Sequence, residues 1–159
     1  MEYSLYFDGK AVPNPGKGSA AAVFYGNDVI LFEVGKYLEK TTNNQAEYLG
    51  LIIGLKECLK RGHRNIKVYG DSNLVIEQSA GRWKVNHINL IDLHSTVKEL
   101  VKQFQSISFT HVYREKNKKA DELTNIVFDS KRNLNYVDEK KKSILDMFKV
   151  PVKDIRDWT

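Results

Sequence analysis

Four acidic residues, Asp8, Glu47, Asp71 and Asp121, stand where the surrounding pattern gives a charge little reason to be. Asp8 ends the run Tyr3 to Phe7, and Gly9 after it marks the carboxyl edge of a strand, a place a turn aspartate would also fit. Glu47 is harder to explain away. Positions 47, 51, 54, 55 and 58 carry Glu, Leu, Gly, Leu and Cys, so at helical spacing this carboxylate heads the stripe that faces the core. Neither position 43 nor position 51 supplies a Lys or Arg, which leaves a metal ion or a distant cation as its partner. Asp71 follows a strand and precedes a helix, where it competes with Ser72 for the N-cap. Asp121 lies near a helix start, where an acid also complements the helix dipole.

Topology joins these separate signals. If the first and fourth strands are adjacent and parallel, Asp8 and Asp71 end side by side at the carboxyl edge of the sheet, where α/β sites form. Converging carboxylates repel one another until cations neutralise them, and hard oxygen donors without soft ligands select Mg²⁺ or Mn²⁺ over zinc. Two such ions about 3.5 to 4 Å apart would activate a water and stabilise the leaving oxygen of a phosphodiester, so no nucleophilic Ser or Cys is required.

Strands are expected at Tyr3–Asp8, Ser19–Tyr25 and Val29–Tyr37, with a loop from Gly9 to Gly18 and a turn at Gly26-Asn27-Asp28. A helix follows from Thr42 to Arg61, with capping-box spacing at Thr42 and Gln45 and a stop at Gly62. Then come a strand at Asn65–Gly70, a helix at Ser72–Gln78, a break at Gly81-Arg82-Trp83-Lys84, a helix at Ile88–Phe104, a strand at Ile107–Tyr113 and a helix at Lys118–Phe128. Residues Glu139–Phe148 form one more amphipathic candidate, with Ile144, Leu145 and Phe148 on one side. The expected architecture is α/β: a five-stranded mixed sheet, three strands antiparallel and then two parallel, with helices on both faces. The domain is expected over 1–128, with a charged extension over 129–159.

A chain of 159 residues, 42% hydrophobic and 28% charged, has ordinary globular composition and is long enough to bury one core. A single cysteine, Cys58, rules out an internal disulfide and, with no Cys/His cluster, argues against zinc. The N-terminus shows no signal-like or membrane-spanning run, so a cytoplasmic, reducing location and a monomer are expected. A formal charge of +5 favours a polyanionic partner. Lys10, Arg82, Lys84, Lys118 and Lys119 are expected to contact phosphates around the acidic centre.

On four blocks in order, the sequence resembles type 1 ribonuclease H: Asp8-Gly9 with Asn14-Pro15-Gly16, Thr42 to Tyr48, Tyr69-Gly70-Asp71-Ser72, and Arg114 to Leu123. The resemblance covers about residues 1 to 125 and implies a ribonuclease H-like fold. It implies a metal-dependent endonuclease that cuts the RNA strand of an RNA/DNA hybrid and leaves 5′-phosphate and 3′-hydroxyl ends. Asp8, Glu47, Asp71 and Asp121 would hold two Mg²⁺ ions, with Mn²⁺ as a substitute, and Gly9, Asn14, Thr42, Asn43, Asn44 and Ser72 would contact substrate. Between Gly81 and Asn86 the basic protrusion of the better-known bacterial members is missing, and Gly-x-Trp-Lys is more similar to the shorter archaeal-type branch. The loop that carries an assisting histidine in longer members is missing too. His111 alternates in phase with Ile107 and Phe109, so it is expected to be a packed strand residue. Two other readings compete: a nucleic-acid-binding module of this fold without chemistry, and a nuclease of this fold acting on double-stranded RNA.

Overall fold

The computed structural model describes residues 1–136, so the candidate helix Glu139–Phe148 lies outside the described residues. Alternation of side chains makes Tyr3–Ala11 the first strand, β1, which buries Leu5 and Phe7 on one face. Antiparallel β2 (Gly16–Gly26) and β3 (Val29–Thr41) follow, with Asn27 between them at φ 49, a left-handed conformation that asparagine tolerates. Much of the expected Gly9–Gly18 loop is therefore strand, because the ladder continues until Ala11 pairs with Gly18 and only the proline-containing tip is left out.

Helix α1 (Asn43–Lys60) begins on the expected capping box. Thr42 Oγ1 accepts from the Gln45 N–H at 3.1 Å, and Gln45 Oε1 accepts from the Thr42 N–H at 2.9 Å. Its core face carries Glu47, Leu51, Gly54, Leu55 and Cys58, as the spacing predicts. Strand β4 (Asn65–Gly70) pairs parallel with β1, and after α2 (Asn73–Ser79) and α3 (Ile88–Val101), β5 (Ser106–His111) pairs parallel with β4. A single 3₁₀ turn, Arg114–Lys116, leads into α4 (Lys118–Ser130).

One sheet face is covered by α1, whose Leu51 and Leu55 lie over Leu5, Phe7, Phe24 and Phe32, with α2 over β4 and β5 and α3 packed against α1; on the other, Ala120, Leu123 and Val127 of α4 pack against Ala21 and Val23. Among the described residues the sheet has six strands, in the order β5-β4-β1-β2-β3-β6, rather than the five expected. The extra strand, β6 (Leu134–Tyr136), adds to the β3 edge, where Leu134 joins the α4 cluster. The sheet thus continues past residue 128, and a run of three residues is too short for alternation to announce it.

Candidate active site

The site begins where β1 meets α1. A Cβ on Gly9 would lie 2.2 Å from the Ala46 carbonyl carbon, and one on Gly50 would lie 2.4 Å from the Asp8 carbonyl oxygen. Two glycines thus allow strand and helix backbones to approach until the Gly9 N–H donates to Glu47 Oε1 at 2.9 Å. The other carboxylate oxygen, Glu47 Oε2, is buried and has no hydrogen-bond partner. Asp8 and Glu47 are only 7% and 8% exposed.

Asp71 follows β4 and is released from capping, because Ser72 Oγ accepts the N–H of Val75 at 3.3 Å. Asp71 Oδ1 instead accepts from Asn117 Nδ2 at 3.2 Å. One carboxylate oxygen each from Asp8, Glu47 and Asp71 lies within 4.8 Å of the others. Asp121, in the first turn of α4, stands outside this trio but lines the same opening.

Burial and then the neighbouring Asp8 push the Glu47 carboxyl well above the ordinary range. Burial also drives Asp8 up to about 6, with the charges of Asp71 and Asp121 adding to the rise and hydrogen bonds with Glu47 and Gly9 opposing it. The pair therefore retains a proton at pH values where isolated carboxylates have lost theirs. A proton on Glu47 gives its orphaned oxygen a bond to Asp8; a divalent cation would neutralise both acids instead.

The opening around these acids is about 470 Å³ and includes Gly9, Asn43, Asn44 and Ser72. Asn44 also lines an adjoining groove of about 310 Å³ with Asn14, Thr42, His87 and Asn89. The asparagines are partly fixed: Asn43 Oδ1 accepts from the Ala11 N–H at 2.7 Å, and Asn14 Oδ1 accepts from the Asn43 N–H at 3.0 Å. Thr42 accepts the capping bond yet still has its own hydroxyl proton to donate.

At two places the structure departs from or adds to the sequence-based expectation. His111 packs edge-on to the Tyr113 ring at the end of β5, half-buried as a strand residue, but it also lines the acidic opening together with Tyr113 and Arg114. The signal for that position is register: His111 pairs with Gly70, so β5 ends at the same sheet edge as Asp71. Of the five basic residues expected around the acids, only Lys10 lines the opening, and it is bound to Asn125 and lies over the Phe128 ring. Arg82 is held by Glu77 at 2.6 Å and Lys119 by Glu33 at 3.4 Å, while Lys118 and Lys119 line a separate cleft. Charge counting along the sequence does not show which acid each of them meets. No helix among the described residues is long and apolar enough to cross a membrane.

Both the sequence and the fold have known relatives. Residues 6–127 match the family described as reverse transcriptase-like. Ribonuclease HI of Halobacterium salinarum is 38% identical over 125 residues, covering 78% of this chain and 63% of the relative, and the bifunctional protein Rv2228c of Mycobacterium tuberculosis is 39% identical over 132 residues, covering 82% of this chain and 36% of the relative. This chain therefore spans about a third of the mycobacterial protein and under two thirds of the halobacterial one. The crystal structure of the H. salinarum RNase H1 superposes with a TM-score of 0.78 at 37% identity, covering 82% of this chain and 99% of that one. LC11-RNase H1 in complex with an RNA/DNA hybrid superposes with a TM-score of 0.77 at 31% identity, covering 81% and 98%. Matched over most of its length in sequence and in fold, the chain belongs to the reverse transcriptase-like family, as an RNase H-like domain.

Proposed function

We propose that this domain is a divalent-metal-dependent endoribonuclease that hydrolyses the RNA strand of RNA/DNA hybrids, leaving 5′-phosphate and 3′-hydroxyl ends. The observation that carries the reading is the trio Asp8, Glu47 and Asp71, with one oxygen of Glu47 left without a partner. Every donor in the trio is a hard oxygen, which fits Mg²⁺, with Mn²⁺ as a substitute. Asp8, Glu47, Asp71 and, from α4, Asp121 would hold two ions. When bound, such ions lower the pKa of an attacking water and neutralise charge developing on the leaving oxygen.

The chain's own residues prepare that site. The Gly9 N–H orients Glu47, and Ser72 caps α2 so that Asp71 need not. The RNA strand would lie across Gly9, Asn43, Asn44 and Ser72 beside the acids. Amide side chains both donate and accept, which suits a ribose 2′-hydroxyl, the group that distinguishes RNA from DNA. The DNA strand would lie in the adjoining groove, where the Thr42 hydroxyl and the Asn14 and Asn89 amides offer donors to a backbone phosphate. The likeness to LC11-RNase H1, solved with an RNA/DNA hybrid, supports the choice of a hybrid as substrate.

The deciding experiment presents labelled RNA/DNA hybrid, duplex RNA and duplex DNA side by side, with Mg²⁺ or Mn²⁺. Cleavage confined to the RNA of the hybrid is the expected result. Equal cleavage of duplex RNA would broaden the substrate class, and binding without cleavage under any metal condition would leave only a nucleic-acid-binding module.

A further inference from the structure

Asn117 precedes α4, where an asparagine ordinarily accepts a hydrogen bond from the first helical turn, yet its side chain makes no capping bond. The residue is 2% exposed, and its amide points into the sheet instead. Asn117 Nδ2 donates to the Phe7 carbonyl of β1 at 2.9 Å and to Asp71 Oδ1 at 3.2 Å. A primary amide has two N–H bonds, and here each has an acceptor. Turning the amide over would set its oxygen against those two acceptors, so the partners dictate its orientation.

This arrangement has a cost. Asn117 Oδ1 is buried without a hydrogen-bond partner, where a solvent-facing cap would leave the same oxygen satisfied. Helical anchoring alone gives no reason to accept that loss, because Ala120, Leu123 and Val127 already bury the inner face of α4. The backbone of Asn117 adds a second tie: its carbonyl accepts the N–H of Asp121 at 3.1 Å, which fixes the turn that presents the fourth acid.

We infer that Asn117 is a positioning residue for the metal centre, holding the Asp71 carboxylate in place from β1 and setting the turn that carries Asp121. The inference rests on the metal-dependent reading above and deepens it. A residue that orients a metal ligand typically changes metal affinity about 10- to 100-fold when it is lost.

The test is calorimetric titration of metal-free protein with Mn²⁺, beside melting curves, for the wild type and for Asn117→Ala, Asn117→Leu, Val127→Ala, Asp71→Asn and the double variant Asp71→Asn/Asn117→Ala. Asn117→Ala should weaken Mn²⁺ binding by about tenfold or more. Val127→Ala, which loosens the same helix away from the acids, should lower the melting temperature and leave affinity unchanged. Adding Asn117→Ala to Asp71→Asn should cost little further affinity, because Asn117 acts largely through Asp71. Asn117→Leu fills a similar space without a donor, so it decides the matter if the alanine variant does not fold. Wild-type affinity in Asn117→Leu, or an equal loss in Val127→Ala, would overturn the inference. A wild-type protein that binds no Mn²⁺ would instead bring down the metal-dependent reading itself.

Discussion

Two separate openings flank the start of α4, one of about 470 Å³ around Asp8, Glu47 and Asp71, the other of about 700 Å³ between Tyr6, Tyr25 and the Glu115–Ala120 segment. The larger one is lined by three acids, Glu2, Asp28 and Glu115, and three lysines, Lys116, Lys118 and Lys119. Opposite charges there offset one another, and all but Lys119 belong to exposed residues, so the lining costs the fold little. The smaller opening sets four acids, Asp8, Glu47, Asp71 and Asp121, against two basic residues, Lys10 and Arg114, and two of the acids are buried beside an oxygen with no partner. What separates a site from a surface hollow is therefore an excess of acids, two of them buried, rather than size.

Neutralising the trio should have the largest effect. Asp71→Asn and Glu47→Gln should each lower single-turnover hybrid cleavage by about a thousandfold or more, roughly 4 kcal/mol in the barrier, while circular dichroism stays native. Activity near that of the wild type in either variant would place the chemistry elsewhere.

The same buried charges should appear in stability. A carboxyl whose folded-state pKa lies above its unfolded value holds its proton more tightly when folded; that stabilisation is complete below the unfolded value and is lost as pH rises through the folded one. Asp8, raised from 3.8 to about 6, and Glu47, also raised, should thus make the metal-free protein lose stability as pH rises from about 4 to about 7. For Asp8 alone the size is on the order of 3 kcal/mol. Asp8→Asn should flatten that dependence and melt higher than the wild type at neutral pH. A wild-type protein that gains stability over this range would contradict the assignment.

How far these residues are legible in the sequence depends on what announces each one. Glu47 is visible because it heads a helical stripe of Leu51, Leu55 and Cys58, Asp71 because it follows a strand, and Asp8 because it lies just past the parallel pairing of its own strand with that one, although the strand itself runs on to Ala11. The helix start at Thr42 is readable from capping chemistry alone, whereas Asp71 and Ser72 compete for the next cap until the bond from the Val75 N–H to Ser72 Oγ decides it. For His111, strand alternation describes its parity but not its place at the sheet edge, which only the register with Gly70 supplies. Asn117 is no more than one polar letter within a matching block, since its partners Phe7 and Asp71 are 110 and 46 residues away. The edge strand β6 is hidden by its shortness.

His111 lines the acidic opening without belonging to the trio. If the acids supply the ion site, His111→Ala should retain single-turnover cleavage within about tenfold, at most roughly 1.4 kcal/mol in the barrier. A loss of about a thousandfold in a folded variant would add the imidazole to the machinery.

The smallest effect is expected at the larger opening. Lys118→Ala and Tyr25→Phe should change hybrid cleavage by less than about twofold, roughly 0.4 kcal/mol in the barrier. A drop comparable to that of Asp71→Asn would remove the distinction between the two openings.

Whether the buried acids hold divalent ions for attack by water on the RNA strand is decided by single-turnover cleavage of end-labelled RNA in a hybrid, followed while Mg²⁺ is titrated into metal-free protein, with the product ends identified. The rate should rise from background with Mg²⁺, stay at background in Asp71→Asn, and yield 5′-phosphate and 3′-hydroxyl ends. Cleavage that persists in excess chelator, or products ending in 2′,3′-cyclic phosphate, would contradict this mechanism, because the attacking group would then be the ribose 2′-hydroxyl rather than a metal-activated water.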